Sequence, residues 1–169
     1  MKSNISITRA LAIATAIIVP VGSILTRSIV EMPAWQHLGP VAWAAFSRQA
    51  DLGNGEIFYP FFGIGSFVLA VGTAFSYRFD RAASRSAAIP IYLTAVFAIG
   101  VILATTQAAP QMLSLKHAGT DAGSVQQVFS IFARWQAIRT ACIALGFLCS
   151  FWAVLATSQP GVEQRTGLK

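Results

Sequence analysis

The run Thr140–Ser158, TACIALGFLCSFWAVLATS, contains no charged side chain. A helix rising about 1.5 Å per residue needs roughly 20 mostly apolar residues to cross a hydrocarbon core about 30 Å thick. This run has that length, and helix is expected to continue back through FARWQAIRT, Phe132–Thr140, toward Ser124. Three more segments qualify: LAIATAIIVPVGSIL between Arg9 and Arg27, IFYPFFGIGSFVLAVGTAFSY between Glu56 and Arg78, and the stretch from about Ala87 to Pro110. The predicted spans are residues 10–26, 57–77, 87–110 and 128–158. The expected fold is all-α, a single integral membrane domain over residues 1–169 built as a four-helix bundle.

Composition agrees with lipid as the solvent. The 169 residues are 55% hydrophobic and 11% charged, with a mean hydropathy of +0.62, whereas a soluble domain carries roughly 25% charged residues. The net charge of +6 is spread between the apolar segments, so nucleic acid is not an expected partner. Membrane lipid and a hydrophobic small molecule are, and a homo-oligomer stays open.

Positive charge sets topology, because Lys and Arg are retained on the cytoplasmic side. Lys2, Arg9, Arg78, Arg81, Arg85, Arg165 and Lys169 fall on one side of the predicted bundle, while Arg27, Arg48, Lys116 and Arg134 on the other are diluted by Glu31, Asp51, Glu56 and Asp121. The expectation is a multi-pass protein of the plasma (cell inner) membrane with both termini cytoplasmic. The first span also admits a signal-peptide reading, with Val21, Gly22 and Ser23 as a weak cleavage site. Its near-spanning length, with Arg27 snorkelling at the far end, favours a span.

Between the first two spans, PAWQHLGPVAWAAFSRQADL is apolar and Trp-rich. It predicts an additional outer helical segment on the bundle or in the interface, where Trp35 and Trp43 suit the depth. Gly53, Asn54 and Gly55 break the chain after it. Small residues such as Gly65, Ser66, Gly72, Ser76 and Gly146 are expected where helices approach closely. Pro20, Pro60, Pro90 and Pro110 are tolerable near helix ends or as kinks. Cys142 and Cys149, about 10 Å apart along one helix, are too distant for a disulfide and read as small hydrophobes.

Polarity gathers near the outer ends of the second, third and fourth spans. Arg139 adjoins the charge-free run, sharing a helical face with Phe132, Trp135, Gln136 and Cys142, whereas Arg134 points about 140° away. An ionisable group at that depth either faces the bundle interior or snorkels to the headgroups. Gln107 and Gln111 lie one turn apart as interhelical glue or pocket donors, and Arg48, Glu56 and Tyr59 are placed at the same level. The sequence has no HExxH, paired CxxC, GxSxG or glycine-rich phosphate loop. His37 and His117 fall in outer loops without metal-ligand spacing, so no metal or other cofactor is expected. Paired intramembrane acids of the kind used for proton-coupled transport are also missing from the spans.

The order of four spans, the PQM after the third and the RWQAIRT leading into the fourth resemble the anthrone oxygenase-like membrane proteins, over roughly Val41 to Leu155. Members of that family typically read Trp-Asn-x-x-Arg or Trp-Asn-His-x-Arg at the start of the fourth helix, matching Trp135, Gln136 and Arg139. The resemblance implies oxidation of a hydrophobic aromatic or quinone-like substrate by dioxygen without metal or flavin. Such chemistry needs a base, an anion stabiliser and a flat dry pocket. Arg139 would then stabilise the anion, with Gln136 and Gln107 as donors, and Phe58, Tyr59 and Trp135 would flank the ring, with Arg48 nearby. Where members often carry His, this chain has Ala137, which leaves Glu56, His37 or His117 as substitute bases. The alternative is a non-catalytic bundle that binds a lipid or quinone, or a helper subunit of a membrane complex.

Overall fold

The computed structural model describes residues 7–18, 26–80, 84–117 and 121–158. The described residues are all-α. Helix α1 is Ile7–Ile18; the rest of the predicted first span, with Pro20 and the weak cleavage site at Val21, Gly22 and Ser23, lies outside the described residues. So do Lys2, Arg81, Arg165 and Lys169 of the topology argument. A wide π-helical turn, Arg27–Glu31, leads into α2, Met32–Leu38. Gly39, at φ 90°, takes a left-handed conformation open to glycine at little cost, and Pro40 then starts α3, Pro40–Gln49. A second π-helical turn, Ala50–Asn54, kinks at Gly53 and feeds α4, Gly55–Phe79. After a short 3-10 turn, α5 runs Ala88–Ser114 and α6 runs Ala122–Ser158.

Among the described residues, three helical stretches, Pro40–Phe79, Arg85–Ser114 and Ala122–Thr157, are long and apolar enough to cross a membrane. Their outer faces carry exposed Phe61, Ile64, Val68, Phe75, Val96, Leu103, Leu148, Phe151 and Leu155, an apolar surface that only lipid or another apolar partner covers favourably. The α5–α6 seam is the most extensive, and α1 packs on α4 and α6. At 37 residues, α6 is about 55 Å long, well beyond one hydrocarbon thickness. If its charge-free run occupies the apolar slab, the half before Arg139 projects past it. Helices α2 and α3 fold against that projecting half.

Two cores result. One, at the Arg27 end, holds Met32, Trp35, Trp43, Met112, Leu115, Phe129 and Phe132. Trp43 is wholly buried, 4.9 Å from Phe129 and 5.5 Å from Phe132 between ring centroids. Trp35 and Trp43 therefore belong to a packed core rather than to an interfacial belt. The other core gathers Ala12, Ala87, Ile91, Ala153 and Ala156 at the opposite end, where exposed Arg78 and Arg85 also sit.

The close helix approaches follow expectation at Gly146 and differ from it at Gly65 and Gly72. A Cβ on Gly65 or Gly72 would meet nothing within 4 Å, whereas one on Gly100 would lie 3.0 Å from Cys142 Sγ and one on Gly146 3.4 Å from Phe97 Cβ. The tight seam is therefore α5–α6, with the face of α4 bearing Gly65 and Gly72 turned away from neighbours. Cys142 and Cys149 are unpaired thiols, both half-buried.

Candidate functional site

Arg27 organises the projecting end. It was expected to snorkel at the end of the first span. Instead its Nη1 and Nη2 donate to the two carboxylate oxygens of Asp51 at 2.8 and 2.7 Å, and the residues are only 8% and 5% exposed. Trp35, Tyr59 and Phe132 surround the guanidinium, with ring centroids 5.6, 5.7 and 5.6 Å from Cζ. Nη1 also reaches the Tyr59 hydroxyl at 3.4 Å. A weakly hydrated, planar cation tolerates such an aromatic surround better than an ammonium would. Both charges stand on π-helical turns, a backbone form concentrated at functional sites.

A second network joins it through Ser28, whose hydroxyl shares a 2.7 Å hydrogen bond with Thr140 on α6. Gln136 Nε2 donates to Thr140 at 3.5 Å, and Arg139 Nη2 donates to Gln136 Oε1. Gln136 is 1% exposed. The Nε atoms of Arg27 and Arg139 are both buried with no hydrogen-bond partner. Of the two environments open to Arg139, the structure gives the interior, and Arg134 is exposed as the helical phase requires.

Along α4, Tyr59, Phe62, Gly63, Ser66 and Phe67 follow one another at helical spacing; along α6, Gln136, Arg139, Cys142, Ile143 and Gly146 do the same. Beyond Tyr59 and Arg139 these stripes line an apolar cleft of ≈ 90 Å³, open along one side and completed by residues such as Thr94 and Val101 of α5. Its hydroxyls are committed to their own helices: Thr15 donates to Leu11 O, Ser66 to Phe62 O and Thr94 to Pro90 O.

The structure brings together part of the predicted site. Arg139 and Gln136 hydrogen-bond to each other, Tyr59 lies against Arg27 of the adjoining network, and Trp135 packs half-buried against the adjoining core. Phe58 is exposed and stacks near Phe62, 4.5 Å between centroids. Gln107 is exposed on α5 and Gln111 half-buried. Glu56 accepts two hydrogen bonds from Lys116 at 2.9 and 2.8 Å on the surface, so its carboxylate is engaged away from Arg139. Arg48 Nε donates to Leu115 O at 2.9 Å, tying α3 to the end of α5. His37 and His117 are exposed, and no three potential metal-binding side chains cluster among the described residues. Arg27, Asp51, Ser28 and Thr140 were not among the predicted site residues. The available signal was a lone Arg and a lone Asp bracketing a Trp-rich apolar segment.

The fold and this network define an all-α membrane protein with a buried polar site at one end. Comparison with family models, curated proteins and solved structures finds no match.

Proposed function

We propose that this chain is a multi-pass protein of the plasma (cell inner) membrane, both termini cytoplasmic, that takes a hydrophobic aromatic or quinone-like molecule into the bundle near the outer leaflet. One observation carries the reading. The half-buried Arg139, its Nε buried without a partner and its Nη2 hydrogen-bonded to the neutral Gln136, stands one helical turn before an apolar cleft. Pockets of this kind bind by apolar contact and use a few polar groups to orient the ligand. An ionisable group that faces the interior of a membrane bundle is by default a functional group. The orientation rests on Lys2, Arg9, Arg78, Arg81, Arg85, Arg165 and Lys169 falling on one side.

The test is tryptophan-quenching titration of the chain in lipid nanodiscs with naphthoquinones and hydroquinones. Binding that weakens about tenfold in Arg139→Ala, a loss of roughly 1.4 kcal/mol, with helicity unchanged, supports the reading. Unchanged affinity in a folded variant contradicts it.

A second reading adds oxidation, as the resemblance to anthrone oxygenase-like proteins implies; Gln136 bonded to Arg139 on the matching motif positions favours it. The reaction converts a methylene to a carbonyl, one atom of dioxygen entering the product and the other leaving as water. Both oxygens of the buried Asp51 accept from Arg27, so this carboxylate is already engaged by the guanidinium. Oxygen uptake with an anthrone, lost in Arg139→Ala, would support this reading. No uptake by a protein that binds the same anthrone would restrict it to binding.

A further inference from the structure

The buried network has an unbalanced charge. Arg27 and Asp51 cancel through two short hydrogen bonds. Glu31, one turn after Arg27, is half-buried and forms an ion pair with neither arginine. Arg139 therefore has no carboxylate partner among the described residues. Its one hydrogen-bonded side chain there is the neutral Gln136, and its Nε is buried without a partner. Arg139 is half-buried, and a cation held partly out of water with no counter-charge is costly. A ligand that brings the opposite charge removes that cost on binding.

The surroundings restrict what that ligand is. Neutral molecules leave Arg139 uncompensated, and a doubly charged head exceeds the single positive charge present. The hydroxyls of Thr15, Ser66 and Thr94 in the cleft donate within their own helices, so the body of the ligand meets apolar surface. Gln136 is fixed from both sides, by Thr140 and Arg139, and so holds the guanidinium fork in one orientation.

We propose that the site binds a singly charged amphiphilic acid, its anionic oxygen on Arg139 and its apolar body along the cleft between α4, α5 and α6. This rests on the hydrophobic-molecule reading and specifies the charge state of what is bound. The chemistry is shared by an ionised hydroxyquinone or phenol and by a lipid-derived carboxylate.

The full chain in zwitterionic nanodiscs is titrated with a 2-hydroxy-3-alkyl-1,4-naphthoquinone, ionised at neutral pH, and with its neutral methyl ether, following tryptophan quenching. The anion is expected to bind at least about tenfold more tightly than the ether. Arg139→Gln brings the two within about twofold, and Arg139→Lys, which keeps the charge, retains most of the preference. Oleate and methyl oleate are then tested as competitors. Displacement by oleate alone assigns the natural source to lipid carboxylates; no displacement by either, with the quinone preference intact, assigns it to aromatic acids, and both support the proposal. Equal affinity of anion and ether in the wild-type chain overturns the proposal and leaves the hydrophobic-molecule reading standing. Failure of every probe to bind overturns both. The wild-type ratio requires no variant, so a misfolded Arg139→Gln leaves the test intact.

Discussion

At the Arg27 end, Trp35, Trp43, Met112, Phe129 and Phe132 enclose a guanidinium–carboxylate pair, whereas at the opposite end Ala12, Ala87, Ala153 and Ala156 bring helices together around Ile91. Among the described residues, Arg27 and Asp51 are the only buried ionisable side chains, and both belong to the first end. Deep in lipid there is little hydrophobic drive between helices, so small residues and close contact suffice. If the end holding Arg27 projects past the hydrocarbon, it meets headgroups and water, where burying large aromatic side chains again stabilises. The difference teaches that one end is held by large aromatic side chains around a charged pair, while the other packs small residues closely.

The most severe way to break that contrast is Asp51→Ala, which leaves Arg27 buried and unpaired. It is expected to cost about 3–5 kcal/mol in denaturant unfolding. The exchange Arg27→Asp with Asp51→Arg should recover part of the loss, whereas either single change should not. Trp43→Ala comes next, with an expected loss of about 3 kcal/mol, since its ring is fully buried against two phenylalanines. At the opposite end, Ala153→Leu tests close packing instead and should cost about 1–3 kcal/mol by overpacking. A larger loss there than at Trp43 would reverse the comparison.

Smaller effects sharpen it. Gly55→Ala places a Cβ 2.7 Å from the Tyr59 ring and 2.8 Å from Ala50 O. Because the backbone oxygen cannot yield as a side chain does, about 1–2 kcal/mol should be lost in thermal unfolding, together with the position of Tyr59 beside Arg27. Lys116→Ala breaks an ion pair whose side chains are 39% and 45% exposed, and should change stability by no more than about 1 kcal/mol and ligand affinity not at all.

The least effect concerns acid stability. The Ser124 backbone N–H donates to the Asp121 carboxylate at 2.9 Å at the start of α6 and holds its pKa below the ordinary carboxylate value. A pKa depressed in the folded state gives stability that is present above the unfolded value, near 3.9, and is lost as pH falls through the folded value. Asp121→Ala should remove that part of the acid dependence, as read from unfolding curves between neutral and acid pH.

The three long helices and the helical outer segment were legible in the sequence, because unbroken apolar length and Trp-rich composition are one-dimensional signals. Arg139 was legible as a choice between two environments, and its face was fixed by its spacing from Phe132 and Gln136. The Arg27–Asp51 pair was not, because it joins residues 24 apart across two short helices and two π-helical turns that no local pattern announces. Gln107 was placed by level alone. The buried series Ala104, Ala108 and Met112 sets the phase of α5 and turns Gln107 outward. Glu56 enters as a substitute base only through the resemblance, because Ala137 stands where His is often found, while the kink at Gly53 starts α4 with Glu56 facing Lys116.

The proposed ligand site requires Arg139 to face the interior of the bundle, and cysteine accessibility measures that directly. In a background with Cys142 and Cys149 replaced by alanine, Arg139→Cys and Arg134→Cys are each labelled in nanodiscs with a membrane-impermeant thiol reagent. Rapid labelling at 134 with labelling at least about tenfold slower at 139 is the predicted result for a buried position. Equal rates would put residue 139 at the headgroup surface and contradict a ligand site built on it.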